Sequence, residues 1–305
     1  MIGEVLPLTR SETLLVFILG IVMDTSTYQI LDKVKILIKE IIPPFVWKVL
    51  KKANRFEKYG FFGDYSSWQA ALKDSDGYDA TLILDKVKES MLKVKNGEAV
   101  YARDAFILEK KEYSFPILVI LLKIIYENDG CLNILDFGGS LGCHYYQYRD
   151  FLLDLNLKNL KWNVVEQKNF VECGKNFFEN GQLKFYIDID TCLKHEKPDV
   201  IFLSGVIQCL EKPYEFIETL INDNDFSYIL IDRLALIPDS RDRLTIQRVS
   251  PLVYDASYPS WFFNENKFLK HFQQKYDLIF EFQGTDQVNI LSEFKGFIFK
   301  KKNEN

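Results

Sequence analysis

Between residues 132 and 232 the chain switches repeatedly between short β-prone apolar runs and segments whose apolar positions recur at helical spacing. The first run, Asn133-Ile134-Leu135-Asp136-Phe137, ends in an acid and enters the turn Gly138-Gly139-Ser140-Leu141-Gly142; a helix is predicted from residue 145 to 155. Strands follow at 162–166, 183–186, 200–204 and 228–232, with helices at 169–180 and 213–221. Strands alternating with helices over short connections predict a parallel sheet covered by helices on both faces. The pattern changes at the end, where a helix at 265–275 leads to strands at 276–283 and 294–300 separated by a polar loop. Two consecutive strands joined this way form an antiparallel pair, whereas a dinucleotide-binding sheet closes with another parallel crossover. Residues 234–263 are too long for an ordinary crossover and read as a loop beside the sheet edge.

The N-terminal part, to about Glu127, reads as a helical appendage. Within it, Leu84, Val87, Met91 and Val94 recur at helical spacing while Lys86, Lys88 and Lys93 fall on other faces. Residues 116–126 are apolar nearly all round, which predicts a helix buried against the sheet. The apolar run at 14–23 is too short to span a bilayer; it reads as a buried or interfacial helix, or as residues added by an upstream start codon. A second run, 36–50, is interrupted by Pro43-Pro44 and followed by Lys51 and Lys52; it suits either a helix packed on the main domain or a peripheral contact with an anionic membrane. The expected division is an N-terminal extension at 1–34, a helical appendage at 35–127 and the sheet domain at 128–305. No Gly/Ser/Pro-rich linker separates the last two, so one compact unit is expected.

With 305 residues, 48% of them hydrophobic, the chain can bury a large core. A net charge of -5 argues against general affinity for nucleic acid. Cys131, Cys143, Cys173, Cys192 and Cys209 form no C-x-x-C pair and sit in or beside apolar runs, as reduced residues of a cytoplasmic protein do. His144, His195 and His271 lack metal-ligand spacing, so no metal is expected.

The glycine turn carries the first chemical signal. A G-x-G-x-x-G fingerprint from Gly138 would need glycines at Ser140 and Cys143, and a phosphate loop would need a Lys the turn lacks. What fits is D-x-G-x-G-x-G, through Asp136, Gly138 and Gly142, with Ser140 in place of the middle glycine. This resembles motif I of the Rossmann-like S-adenosylmethionine (SAM) methyltransferases, in which Asp136, Gly138, Gly139 and Gly142 would bind the cofactor. The acid would engage its amino-acid end directly or through water.

Glu166 ends the second strand about 24 residues after Gly142, the offset at which Rossmann-type sites place a ribose-binding acid; a solvated strand end is the alternative. Asp188 corresponds by position to the acid that contacts adenine in that family, with Asp190 as competitor and helix capping as the other reading. Gln208, beyond the fourth strand, lies at the carboxyl edge and reads as near the transferring methyl or as solvent-facing. His144 and Asp232 are the candidate general bases; alternatively His144 caps a helix and Asp232 pairs with Arg233. Arg233, Arg243, Tyr258 and Trp261 are candidate substrate contacts, because arginines read anions and aromatic faces stack on sugars. A lid held by its own Arg–Asp pairs is the other reading of that segment.

A narrower resemblance covers about residues 35–301. Tyr59-Gly60-Phe61-Phe62-Gly63-Asp64-Tyr65-Ser66-Ser67-Trp68, Gly77-Tyr78-Asp79, the Asp136–Gly142 turn, Trp162-Asn163-Val164-Val165-Glu166-Gln167, Leu203-Ser204-Gly205-Val206, Ile231-Asp232-Arg233 and Tyr258-Pro259-Ser260-Trp261 together look like a family of bacterial methyltransferases found largely among genes for surface polysaccharide. The resemblance implies an α/β fold with a Rossmann-like class I methyltransferase sheet and SAM-dependent methylation of a glycan or sugar-nucleotide substrate. It further implies a cytoplasmic protein; a contact at the inner face of the membrane is expected only from the lysines beside the 36–50 run, and a glycosyltransferase partner goes with the scaffold reading. A noncatalytic scaffold module and a nicotinamide-dependent enzyme are the competing readings.

Overall fold

The computed structural model describes residues 58–76, 80–251 and 253–303, all within one compact unit, Phe56–Asn305. The N-terminal extension, the apolar runs at 14–23 and 36–50, and Gly77-Tyr78-Asp79 lie outside the described residues.

In chain order the elements are β1 (Gly60–Tyr65), α1 (Trp68–Lys73), α2 (Ala80–Lys95), β2 (Tyr101–Arg103), β3 (Phe106–Leu108) and α3 (Phe115–Glu127). Then come β4 (Cys131–Phe137), α4 (Cys143–Leu153), β5 (Asn159–Val165), α5 (Lys168–Phe177), β6 (Leu183–Tyr186), α6 (Ile189–His195) and β7 (Val200–Ser204). A 3-10 turn, Ile207–Cys209, precedes α7 (Pro213–Asp223), β8 (Tyr228–Leu236), β9 (Arg243–Arg248), β10 (Ser257–Phe262), α8 (Glu265–Lys270), β11 (Tyr276–Gln283) and β12 (Glu293–Lys301).

Seven strands form one sheet in the order β11-β12-β8-β7-β4-β5-β6. The pairings among β4, β5, β6, β7 and β8 are parallel, and β12 runs antiparallel to both β8 and β11. This is the expected α/β architecture, a mostly parallel Rossmann-like sheet with a C-terminal antiparallel hairpin. Its central strands are apolar on both faces because each face carries helices. Ile134, Trp162, Val164, Phe202 and Leu230 pack with residues of α2, α3, α4 and α5. Their neighbours Leu135, Val165, Ile201, Leu203 and Ile229 point the other way, to α6, α7 and α8. The two-residue period of the strands thus builds both cores at once.

Two expectations are corrected. The region 35–127 is not purely helical among its described residues, since it contains β1 and the β2–β3 hairpin. Nor is 234–263 one long loop: β8 runs on to Leu236, and β9 pairs antiparallel with both β1 and β10 in a separate three-stranded sheet. Phe61 of β1 is buried edge-to-face on Phe262 of β10, which gives the early segment a reason to pair with a strand far along the sequence. The end of β10 stays tied to β8, with Phe263 N–H donating to the Ala235 carbonyl and Ile237 N–H to that of Phe263.

Candidate active site

The carboxyl ends of β4, β5, β7 and β8 converge on one edge of the sheet, where open α/β sheets hold ligands. After β4 the turn is tightly constrained. Gly138 has φ +73, and a Cβ there would meet Val206 at 2.5 Å; at Gly139 one would meet the Asp136 carboxylate, also at 2.5 Å. Gly142 caps α4 at φ +85, with Leu183 Cδ2 2.9 Å from a notional Cβ. The turn is therefore glycine-rich because backbone lies directly on side chains. Ser140 itself stands at φ 54, in the left-handed region that its replacement of a glycine would lead one to expect.

Asp136 is fully buried and turned inward. Its carboxylate accepts from Trp162 Nε1 at 2.9 Å and lies 3.1 and 3.2 Å from His144 Nδ1. The carboxylate has no exposed surface in this structure, and its hydrogen-bond partners are Trp162 and His144. His144 does not cap the helix, since Gly142 is the cap; its ring sits edge-on to Phe202 with the side chain 18% exposed.

Glu166, at the end of β5, is half-buried, and each of its oxygens is fixed by a backbone N–H, that of Ser140 at 3.2 Å and that of Gln167 at 2.7 Å. Burial raises its carboxyl above the ordinary value, and the two N–H bonds oppose the rise. The strand end is thus partly buried rather than fully solvated. Asp188 is the N-cap of α6, accepting from Thr191 N–H at 2.6 Å, so the capping reading describes it.

Asp232 accepts the Arg233 backbone N–H at 3.0 Å and lies 3.5 Å from the Ser204 hydroxyl. Burial raises its carboxyl, while the charges of Arg233 and His144 pull it down. The Arg233 guanidinium is not on Asp232; it binds Asp286 through two nitrogens at 3.0 and 3.1 Å. Arg233, at an irregularity within β8, also stands at φ 55, and Gly138 after β4 and Gly205 after β7 stand at φ 73 and 64, so the chain passes this edge through left-handed backbone at all three places. Gln208 is not solvent-facing. Its Nε2 donates to the Arg233 carbonyl at 3.1 Å, and its buried Oε1 has no partner. Cys209 is exposed, with its thiol 3.8 Å from the Gly205 carbonyl.

The candidate substrate residues divide. Tyr258 lies 3.4 Å from Tyr254, hydroxyl to hydroxyl, and Trp261 Nε1 donates to the Leu210 carbonyl just past the 3-10 turn. Arg243 instead donates twice to the Gly63 carbonyl, tying β9 to β1. Three contributors carried no sequence signal of their role. Asp286 comes from the loop before β12, Trp162 supplies the buried donor to Asp136, and Asp104 comes from the β2–β3 turn. The Asp104 charge acts on Cys143, Cys209, Arg233, Tyr254 and Tyr258. A hollow lined by Leu152, Asn156, Lys158 and Gln182 lies at the amino edge of β5 and holds none of the candidate residues. Among the described residues no cluster suits a metal ion, and no helix is long and apolar enough to cross a membrane.

No protein-family model matches this chain, and no curated protein matches it. Solved structures of similar fold include the N-terminal domain of EvdMO1 with SAH (S-adenosylhomocysteine) bound, 11% identical, covering 70% of this chain and 97% of that one at a TM-score of 0.41. A SAM-dependent methyltransferase from Methanosarcina mazei is 12% identical, covering 64% and 100% at 0.43. The glycopeptide N-methyltransferase MtfA complexed with SAM is 8% identical, covering 56% and 82% at 0.38.

Proposed function

We propose that this chain is a SAM-dependent methyltransferase that O-methylates a sugar of a surface polysaccharide or its precursor in the cytoplasm. The observation that carries the reading is the pairing of the Gly138–Gly142 turn with Glu166 at the carboxyl edge of a sheet with this strand order. The residues present fit the cofactor. Glu166 has each oxygen oriented by one backbone N–H and keeps lone pairs for two ribose hydroxyls. Gly138, Gly139 and Gly142 let the turn pack directly on Val206, Asp136 and Leu183, which fixes the backbone whose Ser140 N–H orients Glu166.

Charge points the same way. The charges of Asp104, Glu166, Asp232 and Asp286 act at this edge against Arg233 and His144, and Arg233 is already bound by Asp286. An acid-rich edge suits a cationic sulfonium and disfavours the pyrophosphate of a nicotinamide dinucleotide. Bound SAM supplies an electrophilic methyl group, so the protein has to align the acceptor and take its proton. His144 and Asp232 flank that task.

The test is methyl-labelled SAM incubated with the protein and glycans from cells lacking the gene. Incorporation into glycan, together with loss of one methyl substituent from the surface glycan of those cells, supports the reading. Incorporation into no glycan by a protein that binds SAM would point to the scaffold alternative.

A further inference from the structure

Resting on the methyl-transfer reading, we infer that Asp136 is a positioning residue for His144 rather than a ligand to the cofactor, and that His144 Nε2 is the atom that takes the acceptor's proton. The Asp136 carboxylate has no accessible surface, yet it faces two donors, Trp162 Nε1 at 2.9 Å and His144 Nδ1 at 3.1 Å. Gly139 closes the remaining side, because even a methyl group there would strike the carboxylate at 2.5 Å.

A carboxylate only accepts, so the neutral imidazole carries its proton on Nδ1 and presents a lone pair at Nε2. Among the described residues Nε2 makes no hydrogen bond, while the ring is partly exposed and held edge-on by Phe202. The charged groups acting around it are Asp136 below and Asp232 across the edge. As the acceptor oxygen forms its bond to the methyl carbon and the carbon–sulfur bond breaks, the hydroxyl proton passes to Nε2. The buried Asp136 then offsets the imidazolium charge. Trp162 completes the device by fixing the carboxylate plane, which gives its fully buried indole N–H a partner in the sheet core.

The test needs no substrate. In the full chain labelled with 15N-histidine and free of SAM, the neutral side chain of His144, assigned by the loss of its signals in His144→Gln, should show a protonated Nδ1 and a pyridine-type Nε2. Asp136→Asn should exchange the two signals, because the Asn amide donates to Nδ1; Trp162→Phe should keep the parent pattern. Calorimetry with SAH should give the folded Asp136→Asn protein an affinity within about threefold of the parent. A parent His144 protonated on Nε2 overturns the inference, and this reading stands even if Asp136→Asn does not fold. Loss of SAH affinity by a folded Asp136→Asn protein also overturns it, by returning the acid to the cofactor pocket. Failure of every form to bind SAH removes the proposed function instead, and leaves the tautomer result to be judged alone.

Discussion

Ser140 holds a left-handed backbone, φ 54, that L side chains adopt at a cost of about 1–2 kcal/mol, and its N–H orients Glu166. Glycine would relieve the strain but add freedom to the unfolded chain, so Ser140→Gly should stabilise by about 0.5–1 kcal/mol in urea unfolding, with SAH affinity retained. A loss of stability would mean that the hydroxyl holds something its backbone does not. At this scale the sequence showed where chemistry sits but not what each group does. Asp136 and Glu166 were visible because both end strands beside the glycine turn. That one is sealed under Trp162, His144 and Gly139 while the other keeps open lone pairs depends on which way each carboxylate turns. Asp286 was invisible: its partner Arg233 lies 53 positions away, and no spacing rule joins a loop acid to a strand-end arginine.

The turn between β4 and α4 works as a unit, because Gly138 N–H bonds the Val165 carbonyl of β5 and Gly142 N–H returns to Gly139. Gly139→Ala would push a methyl group into the Asp136 carboxylate and should cost about 1–3 kcal/mol by overpacking, measured by urea unfolding. The same variant should lose SAH binding, since displacement of the turn carries Ser140 and its bond to Glu166 with it. An unchanged affinity would show that the turn does not shape the cofactor site. Elements of the main sheet were legible from periodicity, with 183–186, 200–204 and 276–283 matching their observed bounds. The β1-β9-β10 sheet was not. In β9 only Leu244, Thr245 and Ile246 are buried, between flanking arginines, and one of its partners is drawn from the far end of the chain. Such strands owe their form to non-local pairing, which local pattern does not encode.

Across the whole molecule, α3 is fastened to the sheet by Glu127, which takes bonds from Lys123, Tyr228 and Lys300. The Lys123 bond first, then that of Tyr228 and the Lys300 contacts, hold its carboxyl down to about 2, against an ordinary 4.5. A depressed folded value means that this stabilisation is complete above pH 4.5 and fades as pH falls towards 2. Glu127→Gln should therefore flatten that acid limb of the stability curve, as followed by urea unfolding at each pH. Glu166 and Asp232 act in the opposite sense. Burial raises both, so they disfavour the fold when ionised, and the penalty eases as pH falls through their folded values. Keeping two destabilised carboxyls at one sheet edge is a cost that ligand binding explains better than folding does. The most direct test of the account is calorimetric titration of the full chain with SAH and, separately, with NADH. One SAH bound per chain, lost in Gly142→Asp, with no heat from NADH, is the predicted result; no SAH binding at millimolar concentration, or saturable NADH binding at the same edge, would contradict it.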